Sequence, residues 1–279
     1  MSHQELLETA LTAARAATEI HLRHLGRVRL EDWSAKGAAD FVTHVDREAE
    51  ERIIALVSER YPDHTILAEE GATAVGERQV EGAEAGSVTR PEDAEWLWIV
   101  DPLDGTTNYL HRYPMYTASV AVLHRGVPVA GAVVAGSTGE EWTALRGGGA
   151  FLNGEQIHVS RIERLNQALI GTGFPFKTQH EIPRFLDQLG TVLRRTAGVR
   201  RGGSAALDLC HLATGYLDAF WELTLAPWDF AAGALIVQEA GGIITAVDGG
   251  PLDLLAGGSV LAGNPTMHAR LGALLRELG

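Results

Sequence analysis

Asp101 and Asp104 stand directly after the apolar run Trp96-Leu97-Trp98-Ile99-Val100 and directly before Gly105-Thr106-Thr107-Asn108. One short segment therefore carries two carboxylates, a glycine and two hydroxyls. The run has no polar alternation, which predicts a strand buried on both faces. Pro102 fixes its own φ and lacks an N–H, so the strand is expected to stop there, with Asp101 and Asp104 on a bend where both can turn toward one point. Two carboxylates at 4 Å repel by roughly 4 kcal/mol at an effective dielectric of 20. A hard cation removes that cost, and carboxylate and carbonyl oxygens without His or Cys favour Mg2+ or Ca2+ over zinc. The acids do not alternate ahead of the glycine as an EF-hand loop requires. Backbone N–H groups of Gly105, Thr106 and Thr107, at the start of a helix or turn, would form a cradle for phosphate oxygens. An Asp-Gly turn with an Asx cap satisfies the same spacing equally well.

The elements that must position these groups follow from periodicity. Thr65 to Ala68 reads as a strand that runs into Glu69 and Glu70. Pro227-Trp228-Asp229-Phe230 opens a helix that continues through Ala240 and stops at Gly241-Gly242, with Asp229 at or near its N-cap. A lone Asp in that place is a cap worth roughly 1 kcal/mol. Taken with Glu69, Asp101 and Asp104, however, Asp229 belongs to a set at strand ends and a helix start, where an α/β scaffold carries its site residues. Upstream, Ser2-x-x-Glu5 is a capping box for a helix with apolar Leu6, Leu7, Ala10, Leu11, Ala14, Ala17 and Ile20 that ends near Gly26. A second helix is expected over 43–60, with Val45, Ala49, Ile53, Leu56 and Val57 on its apolar face. Residues 72–95 have little periodicity and read as a long exposed loop. Downstream, a hairpin of 116–123 and 127–135 precedes strands over 142–146, 167–172, 219–223 and 242–247, and helices are expected over 184–194, 205–214, 230–239 and 265–278. Gly147-Gly148-Gly149 and Asn153-Gly154 fit turns, not a Walker A loop or a dinucleotide fingerprint.

Composition sets the outer bounds. With 279 residues, 46% of them hydrophobic and 21% charged, the chain has material for one large core or two fused ones. Its apolar runs fall well short of a membrane span, and the N-terminus lacks a basic segment followed by an apolar one, so a soluble cytoplasmic protein is expected. The net charge of −13 argues against direct nucleic-acid binding through a basic face and against anionic membranes. It repels a phosphorylated substrate too, unless cations invert the local sign. The single cysteine, Cys210, excludes an internal disulfide and reads as a buried, inert thiol within a helix. Ser204 sits in Gly202-Gly203-Ser204-Ala205-Ala206, which fails the last glycine of a nucleophile elbow, and no zinc-protease His pair occurs. His111 and His211 read as packed or exposed rather than catalytic.

These motifs resemble the inositol monophosphatase family of Mg2+-dependent, lithium-sensitive phosphatases. Asp101-Pro-Leu-Asp104-Gly-Thr-Thr-Asn108 matches its first signature, and Trp228-Asp229-x-Ala-Ala-Gly with Glu239-Ala-Gly-Gly242 its second. The likeness extends to Lys36-Gly-Ala-Ala-Asp40-Phe-Val-Thr43-His-Val-Asp46, to Ala68-Glu69-Glu70 and to Gly203-Ser204-Ala205-Ala206, and so covers nearly all of the chain. The segment from Glu70 to Asp101 is longer than the family usually shows.

The resemblance implies an α/β layered fold, an α-β-α-β-α sandwich of the sugar-phosphatase type. It implies one catalytic unit over 1–279, with Glu69, Asp101 and Asp104 in a half of about 1–150 and Asp229 in a half of about 151–279. By the same resemblance, Glu69, Asp101 and the Leu103 carbonyl hold one Mg2+, and Asp101, Asp104 and Asp229 hold a second. Thr106, hydrogen-bonded toward Glu69, helps to orient and deprotonate the attacking water, while Gly105 and Thr106 N–H groups hold phosphate oxygens. Such a two-metal clamp lowers the pKa of water at one ion and neutralises the leaving oxygen at the other. Lys36, Asp46 and Glu70 match residues around the metal ligands, with Lys36 and Asp46 tied to a weaker third Mg2+; a surface ion pair is the alternative for Lys36 and Asp46. Ala205 and Glu222 would face the alcohol portion, Glu222 accepting from hydroxyls, against the alternative of a solvated Glu after Phe220-Trp221. The Thr106-Thr107-Asn108 version resembles the inositol monophosphatase branch, which makes inositol 1-phosphate the expected substrate. Histidinol phosphate, fructose 1,6-bisphosphate and a 3′-phosphonucleotide are the alternatives. Family members form dimers, so a homodimer is expected, and some bind the transcription or ribosome-assembly machinery, an alternative to enzymatic function. A pure binding module would have no need of Glu69, Asp101, Asp104, Thr106 and Asp229 together.

Overall fold

The Ser2 hydroxyl accepts the Glu5 N–H while the Glu5 carboxylate accepts the Ser2 N–H. This box starts α1 (His3–His24) in the computed structural model, which describes residues 2–29, 31, 33–37, 40–71 and 90–277. A short antiparallel pair, β1 (Ser34–Gly37) and β2 (Asp40–Val42), leads into α2 (His44–Arg60), which Thr43 and Asp46 cap in the same reciprocal way. Then follow β3 (Thr65–Ala68), β4 (Trp96–Asp104), the five-residue helix α3 (Thr106–Leu110), β5 (Thr117–His124), β6 (Val127–Ala135), β7 (Glu140–Leu145), β8 (Gly149–Leu152) and β9 (Glu155–Gln156). β3 through β9 form one sheet in chain order, in which the β3–β4 pair is parallel and the others are antiparallel. The rest of the chain supplies β10 (Leu169–Thr172), α4 (Ile182–Arg195), β11 (Gly198–Arg200), α5 (Ala205–Ala213), β12 (Ala219–Leu225), α6 (Pro227–Glu239), β13 (Ile243–Thr245), β14 (Gly258–Gly263) and α7 (Pro265–Arg276). Its five strands make a second sheet in the order β11-β10-β12-β14-β13.

Alternation along β4 shows how the layers stack. Trp98 and Val100 face α1 and α2, packing with Leu6, Ala14, Ile53 and Val57. Leu97 and Ile99 face the opposite way, into a core that also holds Leu209 and Leu212 of α5, Phe230 and Leu235 of α6, and Phe220 and Val260 of the second sheet. Beyond that sheet, Phe185 and Val192 of α4 and Leu271 and Leu275 of α7 cover Trp221 and Leu261. The result is the expected α-β-α-β-α sandwich, with α5 and α6 as the shared middle layer. Small residues let that layer approach closely: a Cβ on Gly131 of β6 would meet the Ala232 backbone of α6 at 3.3 Å.

Pro102 does not end β4. The strand continues through a bulge, with Asp101 opposite Ser119 and Asp104 opposite Thr117. At a bulge the missing proline N–H costs no ladder bond, which is why the chain accommodates Pro102 inside the strand. Most of the expected loop, residues 72–89, lies outside the described residues; Pro91–Asp93 forms a single 3-10 turn before β4. Cys210 is buried in α5, and burial holds its thiol well above the usual range. Among the described residues, no helix is long and apolar enough to cross a membrane.

Candidate active site

The bulge turns Asp101 and Asp104 toward the middle layer. Asp101 Oδ1 accepts the Leu103 N–H at 3.0 Å, an Asx turn that shapes the bulge from within. Asp104 Oδ2 accepts the Ser204 hydroxyl at 2.6 Å and the Ala206 N–H at 2.8 Å, so the start of α5 fixes a carboxylate carried by the other sheet. Ser204, set aside as a nucleophile on sequence grounds, is thus an orienting donor. Asp229 lies in the first turn of α6, three residues past the N-cap Ala226, whose N–H its Oδ2 accepts at 2.7 Å. Asp101, Asp104 and Asp229 each present a carboxylate oxygen within 4.8 Å of the others. Glu69 follows β3, its N–H bonded to the Val100 carbonyl at 3.3 Å.

These acids line a cavity of about 580 Å³ together with Leu103, Gly105, Thr106, Ala205 and Glu222, among others. Burial pushes the Asp101 carboxyl well above its usual range, and the charges of Glu69, Asp104 and Asp229 add to the effect. Burial also raises Asp104 to about 6, against the downward pull of its bonds to Ser204 and Ala206. Asp229 is pushed up to about 8, by burial first and then by Asp104 and Glu69. A set of oxygen donors that destabilise one another's ionised forms fits a hard divalent cation such as Mg2+. Gly105 has φ +91°, and a Cβ there would meet the Met115 carbonyl at 2.8 Å, so the turn out of the bulge requires glycine.

The Inositol monophosphatase family profile matches residues 2–279. The chain belongs to that family. It is 42% identical to Nus factor SuhB of Pseudomonas aeruginosa over 94% of this chain and 92% of that protein. It is 40% identical to an inositol-1-monophosphatase of Mesorhizobium japonicum, over 97% and 96% of the two chains. The crystal structure of extragenic suppressor protein suhB from Bartonella henselae superposes with a TM-score of 0.87 at 36% identity, over 98% of this chain and 99% of that one.

Within this inositol monophosphatase fold, several expected residues have partners that the sequence did not indicate. The Thr106 hydroxyl lies 3.1 Å from Asp46 Oδ1 and 3.1 Å from the Leu103 carbonyl, so its hydrogen points to these acceptors and not toward Glu69. Asp46 is no surface ion-pair residue. It is buried in the cap of α2, its Oδ2 accepting the Thr43 N–H and hydroxyl at 2.8 and 2.7 Å, and burial raises its carboxyl. Glu70 sits just beyond the cavity lining, its N–H donating to Glu50 Oε2 at 2.8 Å. The Lys36 side chain lies outside the described residues. Glu222 is within β12 and on the cavity wall, not solvated after the strand, and burial pushes its carboxyl well up, with Asp229 and Asp208 adding. A Cβ on Gly173 would overlap that carboxylate.

The same wall holds residues that sequence reasoning passed over. Asp208 of α5 is buried and pushed up to about 8 by burial and then by Asp104. Arg201 stacks on Phe174 and Phe176, its guanidinium carbon 5.2 and 5.3 Å from the two ring centres. Asp208 was detectable as a lone acid between buried leucines. Arg201 was not, since its neighbours in space are distant in sequence. Glu239 of the second signature does not reach the cavity; its carboxylate accepts the Gly147 and Gly149 N–H groups at 2.8 and 2.9 Å and ties α6 to the β7–β8 turn.

Proposed function

We propose that the chain is a Mg2+-dependent phosphate monoester hydrolase acting on inositol 1-phosphate, working as one catalytic unit because its carboxylates come from both halves. The observation that carries this reading is the convergence of Asp101, Asp104 and Asp229 within 4.8 Å in the lining of the cavity, which also holds Gly105 and Thr106. Glu69, Asp101, the Leu103 carbonyl, Asp104 and Asp229 would hold two Mg2+ ions. Bound there, the ions would acidify the attacking water and neutralise the departing ester oxygen. The protein's own work is positional and protonic. Thr106 Oγ1, with its hydrogen engaged by Asp46 and Leu103, keeps its lone pairs free to take a proton from water, and the buried Asp46 carboxylate can receive the threonine proton in exchange. Glu222 and Asp208 offer acceptors to substrate hydroxyls and Arg201 offers donors, a mixed lining suited to a polyol. The reading extends to a cytoplasmic homodimer and includes no membrane or nucleic-acid contact for catalysis.

Phosphate release from inositol 1-phosphate, histidinol phosphate, fructose 1,6-bisphosphate and a 3′-phosphonucleotide, with Mg2+ and with or without Li+, tests the proposal. Inositol 1-phosphate should be turned over fastest, Li+ should inhibit, and Asp101→Asn should be inactive. No turnover of any ester, or an active Asp101→Asn, refutes it. The name Nus factor SuhB on relatives of 42 and 43% identity favours a second reading, as a binding partner of transcription machinery. Under that reading alone, Asp101→Asn would complement a loss of the gene fully.

A further inference from the structure

Beyond Val100, β4 has no β3 neighbour, because the register of that pair ends with Ala68 opposite Val100. The backbone groups of the bulge must find other partners. Leu103 satisfies its own through the site: its N–H goes to Asp101 Oδ1 and its carbonyl accepts the Thr106 hydroxyl. Pro102 has only a carbonyl to satisfy, and that oxygen lies 2.8 Å from Nε2 of His21, a residue of α1 that is not part of the cavity lining. A carbonyl can only accept, so the imidazole carries its proton on Nε2. His21 is fully buried, and its ring packs against Tyr109 and Tyr116 at 5.9 and 6.0 Å between centres. Its backbone contributes as well, since the Tyr109 hydroxyl of α3 donates to the His21 carbonyl at 2.9 Å. Residue 21 therefore grips the site segment on both flanks, at Pro102 before Asp104 and at Tyr109 after Thr106.

Packing of α1 does not call for an imidazole at this position. Its buried stripe of Leu6, Ala10, Ala14 and Ala17 would be completed by an apolar side chain, whereas His21 leaves Nδ1 buried without a partner among the described residues. We infer that His21 is a positioning residue for the carboxylate cluster: its Nε2–H bond to the Pro102 carbonyl sets the shape of the bulge and with it the spacing of Asp101 and Asp104. The inference rests on the metal-dependent reading above. Groups that orient metal ligands from behind typically change metal affinity 10- to 100-fold when lost.

Mn2+ binding to the full chain, followed by electron paramagnetic resonance, separates the two claims. His21→Met, apolar and of similar bulk, should weaken Mn2+ binding about tenfold or more. His21→Gln, whose amide nitrogen can reach the same carbonyl, should restore most of that loss. Native affinity in His21→Met, or binding as weak in His21→Gln as in His21→Met, overturns the inference. No Mn2+ binding by the native chain overturns the metal-dependent reading itself. Nitrogen NMR of the native chain gives a check that needs no variant: the His21 tautomer should be Nε2–H, and an Nδ1–H tautomer overturns the assignment.

Discussion

Stripped of divalent cations, the chain should lose stability as pH rises from about 7 to 8.5, and Asp229 and Asp208 set the least that loss can be. Both are carried from an ordinary 3.8 to about 8 by burial. In the unfolded chain both are ionised throughout this window, whereas in the folded chain both are still largely protonated at pH 7. The folded state therefore binds more protons, and stability falls as pH rises. At about 1.4 kcal/mol per pKa unit, one group titrating near 8 loses about 1.2 kcal/mol between pH 7 and 8.5, so the pair accounts for about 2.5 kcal/mol. For a chain of this size that is a fall in Tm of about 5 °C or more. Asp101 and Glu222 act in the same direction, and His21, neutral in the folded state and mostly neutral in the unfolded one, contributes little. Calorimetry in EDTA at pH 7 and 8.5 measures the slope. Saturating Mg2+ favours ionised Asp229 and should remove its share while raising Tm overall; at a hundredfold excess over Kd the gain is about 2.7 kcal/mol. Asp229→Asn should remove the same share in EDTA. A Tm that stays level in EDTA, or a slope unchanged in Asp229→Asn, refutes the account of these acids as a cluster strained by burial and mutual repulsion.

Thr106→Val should lower kcat about a hundredfold with little change in KM, while Thr106→Ser retains most activity; equal kcat for Val and native would remove the hydroxyl from proton handling. Gly105→Ala places a Cβ against the Met115 carbonyl at a backbone angle of +91° and should cost about 2 kcal/mol in urea unfolding, an effect absent if the turn can relax. At the acid end, burial lowers His21 from 6.5 to about 4, so its contribution is intact above pH 6.5 and is lost as pH falls toward 4. Between pH 6.5 and 4.5 the native chain should lose about 2 kcal/mol more than His21→Met, and parallel stability curves would contradict this.

The acids of the site were legible because Glu69, Asp101 and Asp104 follow apolar segments and Asp229 stands at a helix start, all local signals. Their partners were not, because those are set by how the layers stack. Thr106 finds Asp46 across 60 positions, and Asp104 finds Ser204 and Ala206 across 100 and 102. The strand-ending reading of Pro102 failed for a related reason. It assumed a regular ladder, and the bulge that makes the proline harmless exists only because β5 pairs on both sides of it. β14 went unread because Gly-Ser-Val-Leu-Ala-Gly has little strand character of its own; pairing to β12 and β13 imposes the conformation. Helix starts were read well where a box of side chain and backbone announces them, as at Ser2 and Thr43.

This division between local and long-range signals bears on how the site is assembled. Asp101 and Asp104 arrive on β4 of one sheet, Asp229 on α6, and the donors that hold Asp104 on α5. The carboxylates therefore meet only when the middle layer has docked on the first sheet, and their repulsion opposes that docking. Ser204 and Ala206 offset part of it by donating two hydrogen bonds to Asp104, which hold that acid to about 6, while Asp229, with the Ala226 N–H as donor, reaches about 8. A divalent cation bridging β4 and α6 would reverse the sign of the remaining term, turning the least favourable contact between the layers into a cross-link. Metal binding and the packing of the two halves are on this argument one equilibrium, and a chain whose layers are loosened should lose metal affinity before it loses its helices.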